Sequence, residues 1–261
     1  MKEWKRIVVK VGTSTLAYPG GRLNIRHIEK LVKVLSDIAN SGKEIILVSS
    51  GAIAMGVGKL NLAQRPDSMA GKQACAAVGQ CELMYIYDKL FSEYNHNVAQ
   101  ILLTGDDLEN GNRRNNFRIT LNQVIAYGAI PVLNENDTMS TTEIASIGDN
   151  DTLAALVSET ADADLLILFS DINGLYTADP RQDPEAQIIP KVTEINERIR
   201  SLAGGAGTDQ GTGGMETKID AAAICLKDQI DMVITNGDHP ESLYQILDGK
   251  HVGTLFTREE S

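Results

Sequence analysis

Cysteine is scarce in this chain of 261 residues. Cys75, Cys81 and Cys225 are odd in number and form no C-x-x-C pair. That argues against a disulfide framework or a cysteine zinc site and points to a reducing, cytoplasmic setting. Positive charge is the second shortage: 24 Lys and Arg stand against 35 Asp and Glu, a formal net charge of −11. Sequence-independent binding to nucleic acid needs basic patches, so that class of partner is excluded. Anions can still be held by local lysines and helix N-termini acting against the global field. Long apolar runs are missing too. No window approaches the ~20 apolar residues of a membrane-spanning helix. The N-terminal stretch Met1–Gly12 has too short an apolar run for a signal peptide and leads directly into a strand-like pattern.

What is present is an ordinary soluble composition, 43% apolar and 23% charged. The length suits one large α/β domain or two small ones. Short apolar runs read as strands: Arg6–Val11, Glu44–Ser50, Val98–Thr104, Ala129–Asn134, Ala163–Ser170, Met232–Gly237 and a short last one at Gly253–Phe256. Ile25, Ile28, Leu31, Val32, Leu35 and Ile38 recur at helical spacing, with Gly42 as a stop. Further helical patterns lie at Pro66–Tyr94, Arg114–Tyr127 and Asp151–Glu159. Strands alternating with helices imply parallel β-α-β units and a sheet covered on both faces, an α/β fold. The segment Gly174–Val192 holds three of the seven prolines and breaks the rhythm, so it is expected to be a hairpin or loop excursion. Ala203–Gly214 is too rich in glycine for helix or strand and is expected to be mobile when empty.

Ligands of open parallel sheets sit beyond the carboxyl ends of the strands. At those places stand Lys10–Thr15, Ser49–Gly56, Asn134–Thr138, Gly148–Asp151 and Ser170–Tyr176, and a late glycine loop, Gly211–Lys218, ends at a helix start. That loop, GTGGMETK, differs from a P-loop, whose lysine follows its last glycine directly. Here Met215, Glu216 and Thr217 intervene before Lys218. Lys10 is the most telling single residue, because an ammonium inside an apolar strand is costly unless it is paired. Gly12 on its own reads equally well as a tight turn, Ser50 as a helix cap, and the acids of Gly148–Asp151 as dipole-favourable capping residues.

Taken together, VVKVGTSTL, VSSGAIAMG, LNENDT, GDND, FSDINGLYTADPR and GTGGMETK resemble the amino-acid kinase family, and within it the members that phosphorylate glutamate. The match runs in order from Lys10 to Lys218. The resemblance implies a three-layer αβα sandwich around a mainly parallel sheet, as in acetylglutamate kinase. It implies a single kinase domain over residues 1–261, with an acceptor-binding part up to about residue 160 and a nucleotide-binding part from about residue 161. Many members carry a C-terminal PUA domain; this chain ends soon after Gly253–Phe256, so that module is expected to be absent.

The activity implied is ATP-dependent phosphorylation of the γ-carboxylate of L-glutamate, the first step towards proline, with Mg²⁺ arriving on ATP. By that resemblance Lys10 and Lys218 stabilise the transferred group, Asp151 orients the two lysines, and Gly12 and Gly51 let backbone N–H groups approach the phosphoryl oxygens. Ser50, Asp137 and Asn150 match glutamate-binding positions. Lys10, Ser170, Asp171, Thr212, Gly213, Gly214, Met215, Glu216, Thr217 and Lys218 match nucleotide-binding ones. The loop Asn136–Asn150 is where glutamate and proline would be told apart. No metal ligand is assigned. The resemblance further implies inhibition by proline, a homo-oligomer, and glutamyl phosphate reductase as the consumer of the product. Two alternatives remain open: a kinase of the same fold with acetylglutamate, aspartate, carbamate, UMP or isopentenyl phosphate as acceptor, or a non-catalytic sensor of amino acids or nucleotides.

Overall fold

The computed structural model of the protein describes residues 3–18, 20–139, 149–203 and 214–258. In chain order the elements are β1 (Arg6–Val11), α1 (Thr13–Leu16), α2 (Ile25–Asn40), β2 (Glu44–Ser49), α3 (Ala52–Lys59), α4 (Met69–Ser92), β3 (Val98–Leu103), α5 (Gly105–Glu109), α6 (Gly111–Ala126), β4 (Ile130–Glu135), α7 (Asn150–Thr160), β5 (Leu165–Ser170), β6 (Lys191–Val192), α8 (Glu197–Ala203), α9 (Met215–Lys227), β7 (Asp231–Asn236), α10 (Ser242–Leu247) and β8 (Thr254–Phe256). The strands form one sheet in the order β3-β4-β2-β1-β5-β7-β8-β6.

From β3 to β7 every pairing is parallel, so six carboxyl ends share one edge. β8 runs antiparallel to β7 and parallel to β6, which makes the far border mixed. The proline-rich segment is a loop excursion, as its composition implies. It is pinned by an antiparallel bridge between Tyr176 and Ile188 and then adds β6 to the sheet. A strand of two residues has no periodicity to read, and so the sequence does not announce it.

Side chains alternate across a strand, and both faces here are apolar. Ile7, Val9 and Val11 of β1 share a core with Leu31 and Leu35 of α2 and Leu83, Tyr87 and Phe91 of α4. Val8 faces the other way, into a core with Leu153 and Val157 of α7 and Ile219 and Ala222 of α9. Lys10, two residues after Val8, therefore belongs to the α7 and α9 side at the carboxyl end of the central strand. On the opposite side α3 and α4 cross with their backbones in contact. A Cβ at Gly79 would lie 1.8 Å from the Ala52 carbonyl oxygen, and one at Gly56 would lie 1.9 Å from that of Cys75. Only glycine permits this approach, which brings α4 up beside the turn that starts α3.

Candidate active site

The centre of the site is Asp151, 1% exposed in the first turn of α7. Its Oδ1 lies 2.5 Å from Lys10 Nζ, and its Oδ2 accepts a hydrogen bond from Lys218 Nζ at 2.9 Å. The Thr217 hydroxyl adds a third, at 3.2 Å to Oδ2. Lys10 is 8% exposed and Lys218 6%, so two ammonium groups are held side by side in a largely dry place by one carboxylate. Burial pushes the Asp151 carboxyl up, but the charges of Lys10 and Lys218 outweigh it and hold the group below its ordinary value.

The capping reading of the acids belongs to a neighbour. Asp149 is the N-cap of α7 and accepts from the backbone N–H groups of Asp151 at 2.6 Å and Thr152 at 2.9 Å. That frees Asp151 to point inward. Burial and the charge of Asp151 raise the Asp149 carboxyl above its usual value, against its backbone hydrogen bonds and Lys10.

Two other helices start nearby with no side-chain cap. The N-cap of α3 is Gly51, in the left-handed region at φ 102°, and that of α9 is Gly214, in extended backbone. Among the described residues their first-turn N–H groups lack the partner that Asp149 supplies to α7, and such ends suit phosphate oxygens. Gly12 follows β1 directly and lies beside the lysine: a Cβ there would sit in ordinary contact with Lys10 Nζ, 3.8 Å away.

A second constellation lies on the acceptor side. Asn150 Nδ2 donates to Ser50 Oγ at 2.6 Å and to Asn134 Oδ1 at 3.1 Å. Asp137 is half-buried near Glu135 and Arg65. Burial, reinforced by Glu135, pushes its carboxyl up to about 6 against the opposing charge of Arg65.

A third lies beyond β5. A cavity lined by Leu175, Tyr176, Pro180, Leu202 and Met215 opens beside Ser170 and Lys218. At its rim Asp171 pairs with Arg181 Nη2 at 2.9 Å, and Ser170 Oγ donates to Asp171 Oδ1 at 3.2 Å.

Most of the residues singled out from the sequence thus gather along one edge. Glu216 is exposed on the first turn of α9, where its charge suits the helix dipole. Gly211, Thr212 and Gly213 of the Gly211–Lys218 loop, together with residues 204–210 and 140–148, lie outside the described residues. Sequence reading missed Asn134 as a site residue, along with its partner Gln80, and it missed Asp149 and Arg181. Asn134 and Asp149 stand inside motifs that were noted, whereas Gln80 lies mid-helix with no signal of its own.

The sequence profile described as "Amino acid kinase family" matches residues 5–236. The chain belongs to the amino acid kinase family. Among its kinase relatives is the "Glutamate 5-kinase" of Clostridium perfringens (strain 13 / Type A), 52% identical over all of this chain and 98% of that one. The "Glutamate 5-kinase" of Carboxydothermus hydrogenoformans is 51% identical over 98% of this chain and 68% of its own length. Solved kinase structures share the architecture. The UMP kinase of Bacillus anthracis aligns with a TM-score of 0.66 at 14% identity, over 99% of this chain and 98% of that one. The isopentenyl phosphate kinase of T. acidophilum aligns with a TM-score of 0.66 at 17% identity, over 97% and 100%. The mainly parallel sheet clad by helices is accordingly the amino acid kinase fold.

Proposed function

We propose that this protein transfers the γ-phosphoryl group of ATP to the γ-carboxylate of L-glutamate, giving L-glutamyl 5-phosphate, the first step of proline biosynthesis. The observation that carries the reading is the Lys10–Asp151–Lys218 bridge, set between two uncapped helix N-termini.

The acceptor is ionised at neutral pH, since a glutamate side chain has a reference pKa near ~4.3. No general base is needed. A carboxylate oxygen attacks Pγ, the bond from Pγ to the β-γ bridging oxygen breaks, and ADP leaves with the electron pair. The protein's part is alignment and charge stabilisation. Lys218 draws the leaving oxygens, Lys10 follows the transferred group, and the N–H groups behind Gly12 and Gly51 receive its other oxygens. Asp151 fixes the spacing of the two lysines.

Ser50, Asn150 and Asp137 hold the amino acid. Ser170, Asp171 and the start of α9 from Gly214 to Lys218 hold the nucleotide. Among the described residues no group of three His, Cys, Asp or Glu is placed to cage a cation. This donor set suits Mg²⁺ that enters with ATP on phosphate oxygens and water, where it would neutralise phosphate charge.

ADP release with a panel of acceptors tests the reading. L-glutamate should support turnover, whereas acetylglutamate, aspartate, carbamate and UMP should give little. Turnover with one of those acceptors and none with glutamate would overturn it. Proline shares the α-carboxylate and amino group of glutamate, so its inhibition should fade at saturating glutamate. Inhibition that persists would place proline elsewhere. Among the described residues no helix is long and apolar enough to cross a membrane. A cytoplasmic enzyme that acts as a homo-oligomer and hands its labile acyl phosphate to a reductase completes the proposal.

Asp137 makes the acceptor site sensitive to pH. Its carboxylate is the proposed partner of the substrate's α-ammonium, and burial pushes its carboxyl up to about 6. Above that pH the charge is present and glutamate binds. Below it the carboxyl is neutral, and kcat/KM for glutamate should fall about tenfold per pH unit until the bound form titrates in turn. Asp137→Ala should raise KM for glutamate far more than for ATP and flatten this limb. A limb that survives the substitution would assign the titration to another group.

A further inference from the structure

The polar groups on the acceptor side form a chain with a direction. Asn134 Nδ2 donates to Gln80 Oε1 at 2.9 Å, and Asn134 Oδ1 accepts from Asn150 Nδ2 at 3.1 Å. Asn150 Nδ2 also donates to Ser50 Oγ at 2.6 Å. The Glu135 backbone N–H donates to Asn134 Oδ1 at 2.9 Å, which settles which end of that amide is oxygen. Each carboxamide is thereby locked. Turning Asn150 over would face its carbonyl against the Asn134 oxygen, and turning Asn134 over would set its N–H₂ against the Asn150 N–H₂ and the Glu135 N–H.

The lock leaves a defined remainder. Both amide hydrogens of Asn150 are used, so its Oδ1 is left as a buried acceptor without a partner among the described residues. Ser50 Oγ is used as an acceptor, so its O–H is left to donate. Gln80 Nε2 is likewise a buried donor without a partner. A buried polar group left without a hydrogen bond costs about 1–3 kcal/mol, and three linked amides ending in two such atoms are not explained by packing. An α-amino acid supplies the complements: an ammonium for the Asn150 oxygen and a carboxylate for the Ser50 hydroxyl.

We propose that Gln80 is a positioning residue for specificity: by holding Asn134 from α4, it makes Asn150 present its carbonyl oxygen to the α-ammonium of the acceptor. The proposal rests on the acceptor reading above. Gln80 reaches Asn134 because the neighbouring Gly79 lets α4 press against the α3 backbone. With Gln80 gone, the Asn134 N–H₂ loses its anchor, the lock on Asn150 loosens, and the ammonium competes with a carboxamide free to turn its N–H₂ outward.

The test compares kcat/KM for L-glutamate with that for glutarate, which keeps both carboxylates and lacks the ammonium. Gln80→Met conserves volume and removes the anchor. Its preference for glutamate over glutarate should fall about 10- to 100-fold, the worth of one hydrogen bond to a charged group, while KM for ATP stays put. Gln80→Glu keeps an acceptor oxygen for Asn134 and should restore most of the preference. If the Met variant does not fold, Asn134→Leu cuts the same chain one link nearer the substrate and gives the same readout. A structural role for Gln80 lowers both kcat/KM values in parallel and leaves their ratio unchanged, which would overturn the proposal. A wild-type enzyme with no glutamate-dependent ADP release would overturn the acceptor reading, and the proposal with it, and so separates the two failures.

Discussion

Lys218→Ala lowers kcat by about 10²–10³-fold, the usual effect of removing one preorganised charge stabiliser. The size follows from where the lysine stands. It is in the first turn of α9, where the helix dipole disfavours a cation, and it is 6% exposed. A lysine kept there for packing alone would be poorly placed on both counts. Its contact with Asp151 at 2.9 Å offsets the cost and fixes the ammonium beside Lys10. The fold should survive, because Asp151 keeps Lys10 and the Thr217 hydroxyl as partners. Lys10→Ala should behave alike for the same reason. Single-turnover rates with saturating ATP and glutamate measure the effect directly. Activity within a few-fold of wild type in either variant would remove that lysine from the mechanism.

Asp151→Asn acts on two observables at once. The amide keeps the shape but loses the charge that holds two buried ammoniums together, and its N–H₂ faces one of them. Turnover should fall on the order of 10²-fold, the effect of misplacing reacting groups by about 1 Å, with nucleotide binding retained. Stability should fall as well, within the ~3–5 kcal/mol seen when one partner of a buried pair is removed. The pH dependence of that loss follows from the Asp151 carboxyl lying below its ordinary value in the folded protein. Its stabilisation is in place above the unfolded value near ~4 and is lost as pH falls through the lower folded value. Denaturant titrations should therefore find the two proteins far apart at pH 7 and converging below about pH 4. A gap that stays constant with pH, or a variant that loses nucleotide binding and keeps glutamate binding, would refute the role given to Asp151.

The sequence carried the element order because periodicity is local. The apolar strands, the helical spacing of Ile25 to Ile38 and the stop at Gly42 are each read from residues only a few positions apart in the chain. Strand ends were legible for the same reason, and in a parallel sheet strand ends are where ligands bind. Lys10 stood out since an ammonium in an apolar strand contradicts its surroundings. What the pattern left ambiguous was which acid near residue 150 caps the helix and which serves the site. Asp149 and Asp151 are two residues apart with the same side chain, and only the fold distinguishes a carboxylate turned to its own backbone from one turned to two lysines.

By itself, then, the sequence determined an α/β chain with its glycine turns and charged groups at strand ends, and the resemblance of those motifs named the family. Tertiary structure alone decided which of those groups meet. Asp151 and Lys218 are separated by 67 residues, Asn150 and Ser50 by 100, and Gln80 and Asn134 by 54. Nothing in local propensity couples positions so far apart. Sheet order brings β1, β2 and β4 side by side, backbone contact between α3 and α4 delivers Gln80, and the side-chain alternation of β1 turns Lys10 towards α7 and α9. Hydrogen bonds and ion pairs act over a few ångströms, so a site built from distant segments exists only once the core has packed.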